Sequence, residues 1–248
     1  MRLLSIIPHM RRLGCRKVAD AVLESIRKRT EVFTGEGNSV PSLAVVLVGE
    51  DPASMTYVRK KAEAAASLGF MHFQYNLDAD TEEKDLLALI DELNARDDID
   101  GILVQLPLPK GIDTDKVIDR IAPEKDVDGF TPVNLGRLAI GKDAFVPCTP
   151  KGIMKTLEYY GIETAGRNVT VIGRSNIVGK PMALLLMQRG ADATVTVCNT
   201  KTKDLKEHTL SADIIIVAAG HPGTIDSSYV KDGAAVIDVG VNRIEDPT

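Results

Sequence analysis

The chain has 248 residues, enough for one large domain or two smaller ones, and its 44% hydrophobic and 26% charged content is ordinary for a globular protein. A net charge of -5 at pH 7 argues against a dedicated nucleic-acid binder, and no apolar run approaches the length of a membrane span. Three widely spaced cysteines, Cys15, Cys148 and Cys198, form neither a disulfide framework nor a zinc pattern, so a reducing compartment, the cytoplasm, is the default.

The opening MRLLSIIPHMRRLGCRK mixes basic and apolar residues but lacks a signal-peptide core, so it reads as mature structure. Arg16 to Arg29 follows as a helix with Val18, Val22 and Ile26 on one face, its basic residues forming a solvated side. Leu43 to Val48 is a continuous apolar strand. Asp51-Pro52 then supplies an N-cap and a first-turn proline for a helix running to about Ser67, closed by Gly69. His72 to Asn76 is a short strand, Thr81 to Asn94 an amphipathic helix, and Ile102 to Val104 a buried strand broken by Pro107 and Pro109. Each strand is separated from the next by a helix-length segment, as parallel crossovers require.

From Asp126 to Pro147 no strong period is present, and the domain boundary is placed there: 1–146 and 147–248. Thr149-Pro150 opens a helix carrying Ile153, Met154, Leu157 and Tyr160. Val169 to Ile172 is a β-branched strand, followed by Gly173, a polar loop and a helix that opens at Gly179. Further strands are expected at Thr194 to Val197, Ile214 to Ala218 and Ala235 to Val239. The fold class is α/β, with a Rossmann-like parallel sheet in the C-terminal half.

Two stretches carry chemistry. A strand, a glycine turn and a helix N-terminus at Gly173 to Gly179 form a candidate phosphate cradle, although Ser175 stands where a dinucleotide fingerprint has its second glycine. Taken alone, the stretch is as compatible with a structural turn. The strand after it ends in Cys198-Asn199-Thr200-Lys201-Thr202, with no acid for a ribose 2′-hydroxyl. Arg174 and Thr200 fall where a 2′-phosphate needs donors, so NADP is the expected cofactor; a solvated loop arginine is the plainer alternative.

In the first half, Tyr57 and Lys61 share a helix face by the carboxyl edge of the sheet, and Gln105, at the C-terminal end of another strand, is within reach of the same space. Such a pair is frequently only packing, but a partly desolvated lysine at that edge can exchange protons near neutral pH. Asp126 and Asp128 read either as solvated turn acids or as site residues. The four histidines show no ligand spacing and no nucleophile elbow is present, so neither a metal site nor a serine hydrolase is expected.

The blocks VGEDPASMTYVRKK, GILVQLPLP, PEKDVDGFTPVNLGRL, PCTPKGI, VIGRSNIVGKPMA and GAAVIDVGVNR stand in order from Val48 to Arg243. With them the chain resembles the bifunctional methylenetetrahydrofolate dehydrogenase/methenyltetrahydrofolate cyclohydrolase family. The resemblance implies two α/β domains flanking a cleft, folate on the first and NADP on the second, with both activities of one-carbon metabolism. It implies a catalytic set of Lys61 as general acid/base, Gln105 tuning it, Tyr57 stacking on the folate and Asp128 holding the pterin. Folate contacts extend to Val58, Arg59, Lys60, Val104 and Leu106, and cofactor contacts fall on Gly173, Arg174, Ser175, Thr200 and Val241. A homodimer through the NADP domain is also implied, with no nucleic-acid or membrane partner.

Three features depart from the family pattern. The start up to Val40 lacks the Leu-Asp-Gly-Lys-like opening, the family's Cys-His-Ser is Cys198-Asn199-Thr200, and the chain stops at Thr248, before the family's Pro-Gly-Gly-Val-Gly-Pro loop and final helix. Competing readings are a dehydrogenase without the cyclohydrolase step, a shikimate-type dehydrogenase with a catalytic lysine, and a silent nucleotide-binding subunit. Lys61 and Gln105 favour retention of hydrolysis, and the VQLPLP and DVDGF blocks are not expected of the shikimate type.

Overall fold

The structure, a computed structural model, describes residues 13–240. These fall into two compact units that divide mainly at Pro147, with Leu138–Asp143 grouped with the C-terminal unit and Ala144–Val146 with the N-terminal one. Gly14 also belongs to the C-terminal unit: its N–H donates to the Tyr160 hydroxyl at 2.9 Å, and its carbonyl accepts from that hydroxyl at 3.0 Å.

The N-terminal unit is built on β1 (Ser42–Val48), with β2 (Met71–Leu77) and β3 (Gly101–Val104) paired parallel on either side in the order β2-β1-β3. Leu43 stands opposite His72 on one side and Gly101 on the other. The unbroken apolar run of β1 is explained by cover on both faces. Ala44, Val46 and Val48 pack with Leu86, Ile90 and Leu93 of α3 (Glu83–Ala95) and Val117 of α4 (Thr114–Arg120). Val45 and Leu47 pack with Leu103 of β3 and Val58 of α2 (Pro52–Ser67) on the other face.

Helix α2 starts where the sequence predicts. Asp51 accepts a hydrogen bond from the Ser54 N–H at 2.7 Å, and Pro52 occupies the first turn. The first helix, α1 (Cys15–Gly35), exists but buries only Val18 and Thr30 among its residues; Val22, expected on its inner face, is exposed. Helices α4 and α5 (Pro132–Ala139) were not foreseen from the sequence, because seven and eight residues are too few to display a period.

The C-terminal unit carries a second parallel sheet in the order β5-β4-β6-β7, formed by β4 (Asn168–Ile172), β5 (Thr194–Cys198), β6 (Ile214–Val217) and β7 (Ala235–Asp238). Val169, Val171, Ile214 and Ile216 face Ile153 and Leu157 of α6 (Cys148–Tyr159) and Met182 and Leu186 of α7 (Gly179–Leu186). Ile172, Ile215 and Val217 face Ala212 and Ile225 on the opposite side, after α8 (Leu205–Ser211). Helix α6 begins at Cys148 with Pro147 in the cap position, not Thr149 as expected. Pro150 still lies in the first turn, where its missing N–H costs no helical bond.

Both sheets share one topological feature. The chain leaves the inner strand to one side and returns on the other, so the direction of winding reverses between β1 and β3 and again between β4 and β6. Open parallel sheets bind ligands at such switch points, beyond the carboxyl ends of the strands.

Candidate active site

At the first switch point, Lys61 Nζ donates to Gln105 Oε1 at 3.0 Å. The placement follows from two local facts. Along α2 the buried residues are Ser54, Val58 and Ala65, and Lys61 stands at the one position of that stripe where an apolar residue would continue the core. It is only half-buried. Gln105 directly follows β3, where its N–H bonds to the Val46 carbonyl at 2.9 Å. Its Nε2 donates to the Leu106 carbonyl at 2.6 Å, which fixes the amide so that Oε1 is the end presented to Lys61. The Leu106-Pro107 peptide is cis.

Asp128 completes the group. Its carboxyl is pushed up to about 6, chiefly by loss of water, with Lys61 pulling it down and Asp126 adding to the rise. Neither acid is the solvated turn residue of the plainer reading. Asp128 is half-buried, and Asp126 is 1% exposed, its carboxylate accepting from the N–H groups of Phe130 at 3.3 Å and Thr131 at 2.8 Å and from Asn134 Nδ2 at 2.9 Å.

The remaining residues expected to meet folate divide by accessibility. Tyr57 is 50% exposed one turn before Lys61, its ring available to a flat ligand. Arg59 and Lys60 are exposed, with Arg59 3.9 Å from Glu63, whereas Val58 and Val104 are core residues whose side chains pack inward. Leu106 is half-buried. Sequence reasoning overlooked Thr131 and Asn134. The signal was there: Thr131-Pro132 repeats the cap-then-proline pattern of Asp51-Pro52, and the Asn134 N–H bonds the Thr131 hydroxyl at 3.3 Å.

At the second switch point Gly173 has φ +119, and a Cβ there would collide with the Ala218 carbonyl at the end of β6. Gly179 is equally constrained, since a Cβ would meet the Gly173 carbonyl. The two glycines let the turn fold flat between the strands, which is what a backbone-lined cradle for a phosphate requires.

One element of the expected cradle differs. Ser175 Oγ accepts from the Val178 and Gly179 N–H groups at 3.2 and 3.4 Å, so the first donors of α7 are directed to the serine. The hydroxyl proton of Ser175 and the exposed guanidinium of Arg174, which has no partner among the described residues, are left to meet an anion. The end of β5 forms a polar turn. Lys201 N–H bonds Asn199 Oδ1 at 2.9 Å and Asn199 N–H bonds the Thr202 hydroxyl at 2.8 Å, leaving Thr200 exposed at its tip. With no acid in the turn, these residues fit a dinucleotide bearing a 2′-phosphate. Val241, the remaining expected contact, lies outside the described residues. Among the described residues no group of three or more His, Cys, Asp or Glu is arranged to hold a metal ion, and no helix is long and apolar enough to cross a membrane.

Comparison with known proteins agrees with both halves. A family model described as tetrahydrofolate dehydrogenase/cyclohydrolase, catalytic domain, matches residues 13–128, and its NAD(P)-binding domain matches 147–248. The bifunctional protein FolD of Desulfatibacillum aliphaticivorans is 52% identical over 231 residues, which is 92% of this chain and 76% of that protein. Two solved structures superpose closely. The bifunctional FolD dehydrogenase/cyclohydrolase of Campylobacter jejuni has a TM-score of 0.89 at 45% identity, covering 93% of this chain and 81% of its own. The Trypanosoma brucei enzyme, complexed with NADP cofactor and inhibitor, has a TM-score of 0.90 at 37% identity, covering 98% and 82%. The chain belongs to the tetrahydrofolate dehydrogenase/cyclohydrolase family.

Proposed function

We propose that the protein oxidises 5,10-methylenetetrahydrofolate to the 5,10-methenyl form with NADP, and hydrolyses that product to 10-formyltetrahydrofolate. The observation that carries the reading is the Lys61–Gln105 hydrogen bond of 3.0 Å at the switch point of the N-terminal sheet. Bound NADP supplies a two-electron hydride acceptor for the first reaction. Arg174, Ser175 and Thr200 would hold its phosphates, with Gly173 allowing close backbone approach.

Lys61 is the group that moves protons in the hydrolysis. Gln105 engages one N–H of Lys61, and in the neutral amine the nitrogen lone pair is left to take a proton from water. As water adds to the methenyl carbon, Lys61 takes its proton. As the bond from that carbon to N5 breaks, the lysine returns that proton to the departing nitrogen, and the hydroxyl on the carbon releases the second proton of the water to solvent as the formyl C=O forms. Gln105 acts through Lys61 by fixing where Nζ sits, and Asp128 offers a carboxylate to adjacent N–H donors of the pterin. Tyr57 supplies an exposed ring for the flat aminobenzoyl group. The folate-binding part is assigned to residues 1–146, apart from Gly14 and Leu138–Asp143, which group with the NADP-binding part at 147–248.

The assembly is a homodimer through the NADP-binding part, for which the exposed Val197 on edge strand β5 offers an apolar contact. The compartment is the cytoplasm, consistent with Cys15, Cys148 and Cys198 all being unpaired. Sedimentation equilibrium checks the first statement, a monomer at micromolar concentration contradicting it.

The function is tested by following absorbance with methylenetetrahydrofolate and either NADP or NAD. Turnover with NADP, with kcat/KM at least about tenfold above that with NAD, is expected from the acid-free end of β5. Preference for NAD overturns the roles given to Arg174 and Thr200.

A further inference from the structure

The segment that delivers Asp128 is anchored more heavily than a surface loop requires. Lys125 Nζ donates to the carbonyls of Leu93 at 3.3 Å, Asn94 at 2.9 Å and Arg96 at 2.6 Å, so it caps the C-terminus of α3. Its own carbonyl accepts from the Ile102 N–H at 2.7 Å, which lays the segment beside β3. One residue on, the buried Asp126 carboxylate gathers the N–H groups of Phe130 and Thr131 and the amide of Asn134. Asn134 Nδ2 also donates to the Pro123 carbonyl at 2.8 Å, so a single amide joins the two ends of the segment.

A buried carboxylate is costly unless its oxygens are hydrogen-bonded, and here its three donors all lie within the loop that Asp128 tips and the helix that follows it. The Asp126 carbonyl accepts from the Gly129 N–H at 3.1 Å, closing the turn directly around Asp128, and Gly129 takes φ +66 to allow it. The Asn134 amide is held so firmly by its two acceptors that its Oδ1 is left without a partner among the described residues.

We infer that Asp126 and Asn134 form a positioning clamp, acting through Asp128, that sets how tightly the folate is bound. The inference rests on the reading of Asp128 as the pterin's partner. Neither clamp residue touches the reacting carbon; they hold the turn from which Asp128 points. Besides its own segment, Asp128 faces Lys61 of α2, so the titratable groups that act on it are Lys61 and Asp126.

The test is steady-state kinetics of Asp126→Asn, Asn134→Ala and Asp128→Asn in the full chain, with methylenetetrahydrofolate and NADP varied separately. For Asp126→Asn the folate KM is expected to rise about tenfold or more, with kcat within roughly threefold and the NADP KM within about twofold. The acidic limb of the pH profile of 1/KM for folate should also move down by about half a pH unit, because a negative neighbour of Asp128 is gone. An unchanged folate KM overturns the clamp. So does a loss shared equally among kcat and both KM values with the acidic limb in place, which is the signature of a role in folding alone. Asp128→Asn separates the two levels. If it raises the folate KM while Asp126→Asn does not, only the clamp is lost; if it leaves the folate KM unchanged, the Asp128 assignment falls and the clamp with it. Should Asp126→Asn fail to fold, Asn134→Ala keeps both backbone donors and carries the same expectation at about three- to fivefold.

Discussion

Asp128 is the residue at which function and stability pull apart. Its carboxyl, raised to about 6 mainly by burial, favours the protonated form in the folded chain relative to the ordinary value of 3.8. Below the unfolded value both states are protonated and Asp128 costs nothing. As pH rises through 6 the folded state must hold a charge that the unfolded chain holds more easily, and stability is lost. Asp128→Asn is therefore expected to raise the urea unfolding free energy at pH 8 by roughly 1–3 kcal/mol, the difference vanishing below about pH 4. Equal stabilisation at both pH values would contradict the burial account. The same variant is expected to bind folate less well, a trade of the kind made at sites where a charge is kept for binding. The placement of Lys61 could be read from the sequence, since it stands four positions after Tyr57 on a helix that follows a strand to the carboxyl edge of the sheet. Asp126 was not legible. Nothing in Asp-Val-Asp-Gly distinguishes an acid that turns inward to organise a loop from one that turns outward to meet a ligand.

Among the elements, the β4–α7 turn is the most constrained. Gly173 at φ +119 leaves no room beside the Ala218 carbonyl, so Gly173→Ala is expected to lower stability by about 2–4 kcal/mol from strain and overlap together. A urea midpoint equal to that of the unaltered protein would show that the turn has slack. At the tip of the β5 turn, Thr200→Asp brings a carboxylate to the place assigned to the 2′-phosphate. The NADP KM should rise about tenfold or more while that for NAD changes little; a parallel rise in both would place the phosphate elsewhere. The strands and long helices of both sheets could be read because their periods run over enough residues, as Leu86, Ile90 and Leu93 do on α3. Helix α5 escaped because its eight residues include Gly136 and bury one polar residue, Asn134, along with Leu138. The interrupted glycine fingerprint could be read for its location but not for its hydrogen bonds, since a serine in the middle of the turn can as readily cap α7 as bind phosphate.

For the whole molecule, parallel α/β units in both halves were foreseeable from the spacing of strands, and the acid-free end of β5 already pointed to NADP. What spacing alone could not supply was the pairing of Lys61 with Gln105, which are 44 positions apart and meet only because β3 lies beside β1. A ligand that binds only the folded chain stabilises it by mass action. NADP at a hundred times its Kd should raise the unfolding free energy by about 2.7 kcal/mol, and NAD at the same concentration distinctly less. Equal shifts from both would argue against 2′-phosphate recognition. The central claim, that one lysine held by one glutamine moves the protons of hydrolysis, is tested most directly by Lys61→Met. Loss of the methenyl absorbance is followed without NADP, beside the folate affinity of the same variant. The hydrolysis rate is expected to fall by about 10²–10⁴-fold while folate still binds. Hydrolysis persisting within tenfold of the unaltered enzyme would show that the proton passes through another group.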